Sequence, residues 1–323
     1  MKNQSFNPPL WLRNPHIQTI LPRYLVKFSP NYERRLIKDS LDESSVAFDF
    51  LPTDDEYDAD GRFVKPLVVL FHGMEGSSQS HYARTLAKNV QAAGFHFVVA
   101  HFRSCGGVAV SGKVFYDAGD VAEVHHYLEF LNKKYQTIYA VGVSLGGNVL
   151  AKYMGEYGAD AICQKAVVVS APVDLASASI AMERLLGKNI YTPYLLNPIV
   201  KKALANQLTD DEIRALKSVK KMGDFDSVFT APRQGYRSKN DYYRQASSLP
   251  YLKSICKPTL IITAKDDPFL GVTAEIGDVS QDVCLLDTKH GGHIGFVGYD
   301  YKVRAFDLDF VPKQALAFFG ANT

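Results

Sequence analysis

The stretch TIYAVGVSLGGNVL, residues 137–150, decides the fold. A β-branched apolar run ends at Gly142-Val143-Ser144-Leu145-Gly146 and gives way to a helix-forming stretch from about Gly147. A serine with glycine two positions away on each side, between strand and helix, marks a turn too sharp for larger flanking side chains. That turn exposes the hydroxyl at the C-terminal end of a sheet. The following helix points its N-terminus toward any negative charge that develops there.

Working outward, short β-rich runs alternate with longer amphipathic stretches, the pattern of a parallel sheet covered by helices. PLVVLF (66–71), FHFVVAHF (95–102), TIYAVGV (137–143), KAVVVSAP (165–172) and PTLIITAK (258–265) read as strands buried on both faces. SHYARTLAKNVQAAG, GDVAEVHHYLEFLNKKY and GNVLAKYMGEYG read as the helices between them. RRLIKDSLDESSVAFDFLP predicts an antiparallel hairpin at the sheet's edge. The rhythm breaks between Asp174 and Pro250, where helix-like segments (ASIAMERLLGKNI, NPIVKKALANQL, TDDEIRALKSVKKM) precede an aromatic, polar loop. An insertion of that length between two strands reads as a lid or cap. Thr209 and Glu212 have the spacing of a capping box. The expected organisation is therefore an α/β core of residues 1–173 and 251–323, with a helical cap over 174–250. Within the core, residues 1–60 supply an N-terminal strap and the edge strands.

Composition narrows the function classes. Hydrophobic residues make up 46% and charged residues 22%, which suits a globular chain with a large core and excludes a disordered one. Thirty-six Lys and Arg against 34 Asp and Glu leave a net charge of +2, so no bulk field draws the chain to nucleic acid. Apolar runs such as Leu67–Phe71 fall far short of the ~18 residues of a membrane helix. The start, MKNQSFNPPLWLRNP, lacks the apolar core of a secretory signal, and a cytoplasmic location is expected. Cys105, Cys163, Cys256 and Cys284 form no CxxC pair, which argues against a disulfide framework or a zinc knuckle. No phosphate loop, HExxH or strand-borne GxGxxG occurs, so neither cofactor nor metal is expected.

A serine hydroxyl needs a base to become nucleophilic. Of nine histidines, His290 and His293 in KHGGHIGF follow the last apolar strand, VCLLD (283–287). His293, flanked by glycine and set before a turn, is the chosen base. A carboxylate must hold the imidazole tautomer. Asp266 and Asp267 end the strand PTLIITAK, and Asp267, where the loop departs, is preferred over Asp266, read as a turn or cap residue. The order Ser144, Asp267, His293 is that of the α/β-hydrolases. Oxyanion donors are expected from the backbone N–H of Leu145, after the nucleophile, and of Met74, in the glycine-rich loop His72-Gly73-Met74-Glu75-Gly76.

The chain resembles the YheT-like branch of the α/β-hydrolases, the AB hydrolase 4 family, over nearly its whole length. The stretches carrying the likeness are PPLWLRNPHIQTILPRY, LFHGMEGSSQSHYA, HFRSCGG, GVSLGGN, FDSVFTAPRQGYRSKNDYYRQAS, KPTLIITAKDDPF and HGGHIGF. The resemblance implies an α/β-hydrolase fold, with a mostly parallel sheet, helices on both faces and a helical cap. It also implies a triad carried by Ser144, Asp267 and His293. The expected reaction is hydrolysis of a carboxylic ester through an acyl-serine, on a small-molecule substrate with an apolar acyl chain. A thioesterase or other acyl hydrolase on the same triad, and a non-enzymatic binding protein on the same scaffold, are the alternatives. Neither nucleic acid nor an integral membrane contact is expected as a partner. The cap's 12 Lys and Arg against 8 Asp and Glu read as a solvated face. Its apolar residues Ile180, Leu185, Leu186, Tyr191, Tyr194 and Leu195 are expected to dock it and to supply the only apolar wall for an acyl chain. PPLWLRNPHIQTILPRY, broken by prolines, is expected to wrap the surface as an extended strap anchored by burial of Trp11.

Overall fold

The computed structural model describes residues 6–53, 56–109, 114–184, 189 and 191–321. Eight strands form one sheet: β1 (Glu33–Lys38), β2 (Ser45–Leu51), β3 (Leu67–Phe71), β4 (His96–Ala100), β5 (Ile138–Val143), β6 (Lys165–Val169), β7 (Thr259–Ala264) and β8 (Val283–Thr288). Their spatial order is β1-β2-β4-β3-β5-β6-β7-β8. β1 and β2 form the expected antiparallel hairpin, β2 runs antiparallel to β4, and every pairing from β4 to β8 is parallel. β5, which leads into Ser144, sits between β3 and β6, so its C-terminal end lies at the middle of the sheet's upper edge.

The N-terminal segment departs from expectation. It is not an extended strap: after a single 3₁₀ turn at Leu10–Leu12 it forms two short helices, α1 (Pro15–Ile20) and α2 (Pro22–Leu25). Two of the prolines that suggested breaks stand at first helical positions, where no backbone N–H is required and the fixed φ suits the helix. Asn14 caps α1, its side chain accepting from the N–H groups of His16 and Ile17. Trp11 is not the anchor either, being half exposed; Leu12 and Gln18 are the buried side chains. Gln18 donates to the carbonyls of Leu12 and Val297 and accepts from the N–H of Val297, tying α1 to the chain beyond β8.

Helices α3 (His81–Ala92), α4 (Val121–Asn132) and α5 (Leu145–Tyr157) connect the central strands. Alternate residues of each strand point to opposite faces, which is why strands apolar at every position need cover on both. Val68 and Leu70 of β3 pack with Leu86 and Val90 of α3. Leu67, Val69 and Phe71 pack with Leu128 of α4 and Leu150 and Met154 of α5. Each such fully buried side chain contributes about 1.5–3 kcal/mol.

Between β6 and β7 the chain forms α6 (Leu175–Met182), α7 (Thr192–Leu204), α8 (Asp210–Ser218), α9 (Met222–Phe225), α10 (Ala231–Arg233) and α11 (Lys239–Ala246). The Thr209–Glu212 capping box is formed at the start of α8. The aromatic stretch expected as a loop is largely helical. A wide π-type turn over Asp226–Thr230 joins α9 to α10, and Ser238 caps α11. Buried Phe225, Phe229, Tyr242 and Tyr243 explain the outcome, since packing outweighs the weak helix propensity of aromatic residues. Tyr191 is buried, Leu195 half-buried, and Ile180 and Tyr194 exposed; Leu185 and Leu186 lie outside the described residues. After β8 come a small hairpin, β9 (Gly298–Asp300) and β10 (Ala305–Asp307), and the last helix, α12 (Phe310–Phe319), which packs beside α3.

Candidate active site

Ser144 stands at the turn between β5 and α5 with φ 54° and ψ −121°, a conformation that costs a non-glycine residue of order 1–3 kcal/mol. The surroundings enforce it. A β-carbon on Gly142 would lie 2.5 Å from the carbonyl oxygen of Gly146, and one on Gly146 would run into the carbonyls of Phe71 and His72. Only glycine lets β5, α5 and the end of β3 meet this closely. The Ser144 N–H donates to the Val169 carbonyl at 2.9 Å, extending the pairing of β5 with β6 to the turn itself.

The loops after β7 and β8 bring the other two expected residues to the serine. His293 Nε2 lies 2.9 Å from Ser144 Oγ, and His293 Nδ1 lies 2.9 Å from Asp267 Oδ2 and 3.1 Å from Oδ1. Asp267 is buried and also accepts from the N–H of Phe269 at 2.9 Å. Asp266 points elsewhere: Oδ1 accepts from the Gly292 N–H at 2.9 Å, and Oδ2 lies 3.3 Å from His290 Nδ1. The neighbouring Asp–His pairs thus divide. One reaches Ser144, and the other braces the loop that carries His293.

Three residues not anticipated from the sequence hold His293. Its N–H donates to Thr19 Oγ1 of α1 at 2.9 Å, the Phe269 ring stacks on its imidazole with centroids 4.3 Å apart, and Ser170 Oγ accepts from the next N–H, that of Ile294. NPHIQT held the signal for the first: Asn14 caps, His16 meets the Tyr191 hydroxyl at 2.9 Å, Gln18 ties the loop and Thr19 receives His293. Ser170 and Phe269 carried no comparable pattern.

Met74 and Leu145 both line the cavity above Ser144, and neither N–H has a hydrogen-bond partner among the described residues. The loop around Met74 is held on both sides. The Gly73 N–H donates to the Tyr82 hydroxyl, the Glu75 N–H to the Tyr116 hydroxyl, and the Glu75 carboxylate pairs with Lys202 of α7 at 2.8 Å. Other charges of the 174–250 segment are also internally paired (Lys221 with Glu183, Arg233 with Glu212, Arg244 with Asp241), in keeping with a solvated face.

The cavity measures about 780 Å³, within the range of sites that enclose a small organic ligand. Leu175, Met182, Tyr191 and Leu195 form its wall from the 174–250 segment. That segment is not the sole wall, contrary to expectation, because Thr19, Ile20 and Tyr24 of the N-terminal helices line it too. Burial shifts ionisable groups of the lining: His81 falls to about 4 and stays neutral, Asp226 rises to about 6, and the Tyr82, Tyr191, Tyr242 and Tyr243 hydroxyls are raised. Asp226 accepts from the hydroxyls of Tyr243 and Thr230 at 2.8 and 2.9 Å.

A family model described as alpha/beta hydrolase fold matches residues 66–298. The chain is 38% identical over 307 residues to YheT of Escherichia coli (strain K12), which carries the name of an esterase; the match covers 91% of this chain and 87% of YheT. It is 27% identical to the mouse (Mus musculus) phospholipase ABHD3, over 96% of this chain and 78% of that one. Among solved structures, the esterase Pf2001 of Pyrococcus furiosus superposes with a TM-score of 0.55 at 16% identity, covering 97% of this chain and 98% of the other, a likeness of fold. With the mostly parallel eight-stranded sheet and the serine turn at its centre, these matches show that the chain belongs to the α/β-hydrolases of esterase and lipase type, in the branch that contains YheT.

Proposed function

We propose that the protein is a serine carboxylesterase that works through an acyl-serine intermediate. The observation that carries the reading is the unbroken relay Ser144–His293–Asp267, with both links at 2.9 Å, opening on a largely apolar cavity. In the proposed reaction His293 Nε2 takes the proton as Ser144 Oγ attacks the ester carbonyl. Asp267 keeps the Nδ1–H tautomer and stabilises the imidazolium. The N–H groups of Met74 and Leu145, without another partner among the described residues, receive the charge on the carbonyl oxygen, helped by the N-terminus of α5. The tetrahedral species collapses, the alcohol leaves with the proton from His293, and a water activated by the same histidine releases the acid.

The segment 174–250 acts in this reading as a cap whose apolar side chains, together with α1 and α2, enclose the acyl chain. Short- to medium-chain or lipid-like esters suit the cavity's size. A screen of p-nitrophenyl esters of increasing acyl length, with Ser144→Ala as the blank, tests the proposal. Hydrolysis well above the blank is the expected result, and wild-type rates no higher than those of Ser144→Ala would reject it.

A further inference from the structure

Exposed aromatic and aliphatic side chains stand in two groups, one on the N-terminal helices at the cavity and one at the β9–β10 hairpin. The hairpin group is the cluster of Leu10, Trp11, Tyr301, Val303 and Phe306. Leu10 is 78% exposed, Trp11 51%, Tyr301 68% and Val303 70%. These side chains are organised, not loose: the Trp11 ring meets Tyr299 edge-on at 5.4 Å and Phe306 at 6.0 Å, and Tyr299 in turn meets Tyr301 at 5.1 Å. The other group is on α1 and α2, where Ile17, Ile20 and Tyr24 are exposed, and Ile20 and Tyr24 also line the cavity. Gln18, turned inward onto Val297, locks α1 against the chain leading to β9, so the two groups belong to one rigid surface.

Basic side chains outnumber acidic ones around this surface. Residues 6–32 contain Arg13, Arg23 and Lys27 and no acidic residue. The hairpin bend adds exposed Lys302 and Arg304. Of the hairpin's two carboxylates, Asp300 accepts from the N–H groups of Lys302 and Val303, and Asp307 accepts from the N–H of Asp309 and faces Lys313. Exposed aromatic and aliphatic side chains set among lysines and arginines are the composition of a surface that lies in the headgroup region of an anionic bilayer. A second copy fits poorly, because a two-fold interface would set this basic patch against itself.

We infer that Leu10–Tyr24 and the β9–β10 hairpin form an interfacial docking surface for anionic lipid. Docking there sets the cavity mouth at the lipid surface, so that an ester partitioned into lipid reaches Ser144 without crossing bulk water. The last step rests on the proposed esterase activity; the docking itself does not.

Trp11 is the only tryptophan in the chain, so its fluorescence reports this surface alone. The experiment titrates the protein with vesicles of phosphatidylcholine, and of phosphatidylcholine doped with phosphatidylglycerol. A blue shift of the emission, and quenching by brominated acyl chains, are expected with the anionic vesicles, weakening as salt is raised. Lys302→Ser with Arg304→Ser should weaken binding on the order of ten-fold. Leu10→Ser with Val303→Ser should abolish the shift. Both variants should hydrolyse a short soluble ester at the wild-type rate. Vesicle binding is also measured on Ser144→Ala, so that failure of the esterase reading and failure of the docking surface are separate results. An unchanged spectrum with anionic vesicles, a shift that survives the Leu10 and Val303 substitutions, or a shift caused by self-association without lipid would each overturn the inference.

Discussion

The backbone N–H of His293 donates to the Thr19 hydroxyl at 2.9 Å, across 274 positions of chain. The histidine that reaches Ser144 is thus held from outside the sheet core, by a helix whose own position depends on the Asn14 cap and on Gln18. On the proposed mechanism the N-terminal segment also positions the base. Thr19→Val should lower kcat about ten- to a hundred-fold with little change in KM, because small displacements of a catalytic group have costs of that size. Steady-state kinetics on a soluble ester check this, and unchanged kcat would return the segment to a purely structural role.

The two aspartates should separate cleanly. Asp267→Asn is expected to cost on the order of 10⁴ in kcat, as loss of the tautomer-setting carboxylate does in serine triads. Asp266→Asn keeps an acceptor for the Gly292 N–H and should cost less than about ten-fold. Equal losses would mean that the His290–Asp266 pair shares in the chemistry.

Much of this was legible in the sequence, for reasons that particular residues make plain. Gly142 and Gly146 can be replaced by nothing larger, so the turn at Ser144 declares itself. β3 is apolar at every position and β4, β6 and β7 at most of theirs, so the run of buried strands shows through. The N-terminal segment misled because proline reads as a break, although at Pro15 and Pro22 it begins a helix. Trp11 misled because size suggests burial, yet it lies on the surface against other rings. Thr19 could not be placed from spacing, since its partner is a backbone group brought near only by the fold.

Cavity shape should govern acyl-chain preference. Met182→Trp and Leu195→Trp narrow the wall contributed by the 174–250 segment and should shift the preferred p-nitrophenyl ester to shorter chains. Turnover of the acetate ester should stay within about three-fold of wild type, as expected where that wall contacts only the longer acyl chains. A variant of unchanged stability that lost acetate and longer esters alike would show that this segment holds part of the catalytic machinery.

The pH dependence of stability has a defined sign at His81. Burial lowers it to about 4, whereas the unfolded chain titrates near the ordinary 6.5. Its contribution is complete above 6.5 and is lost as pH falls toward 4, since only the unfolded state takes up the proton in that window. His81→Gln, which keeps a donor for the Ile294 carbonyl, should therefore gain stability relative to wild type between pH 7 and 4.5. The relative gain should be on the order of 2 kcal/mol. Denaturant midpoints of the two proteins at both pH values measure it, and a difference independent of pH would contradict the assignment.

The central claim is that Ser144 is the nucleophile, activated by His293. Labelling with a fluorophosphonate, followed by mass spectrometry of the modified peptide, tests it most directly. One adduct per chain on Ser144, much slower labelling in His293→Ala and none in Ser144→Ala is the predicted result. Stoichiometric label on another residue, or an active protein that takes no label at Ser144, would contradict it.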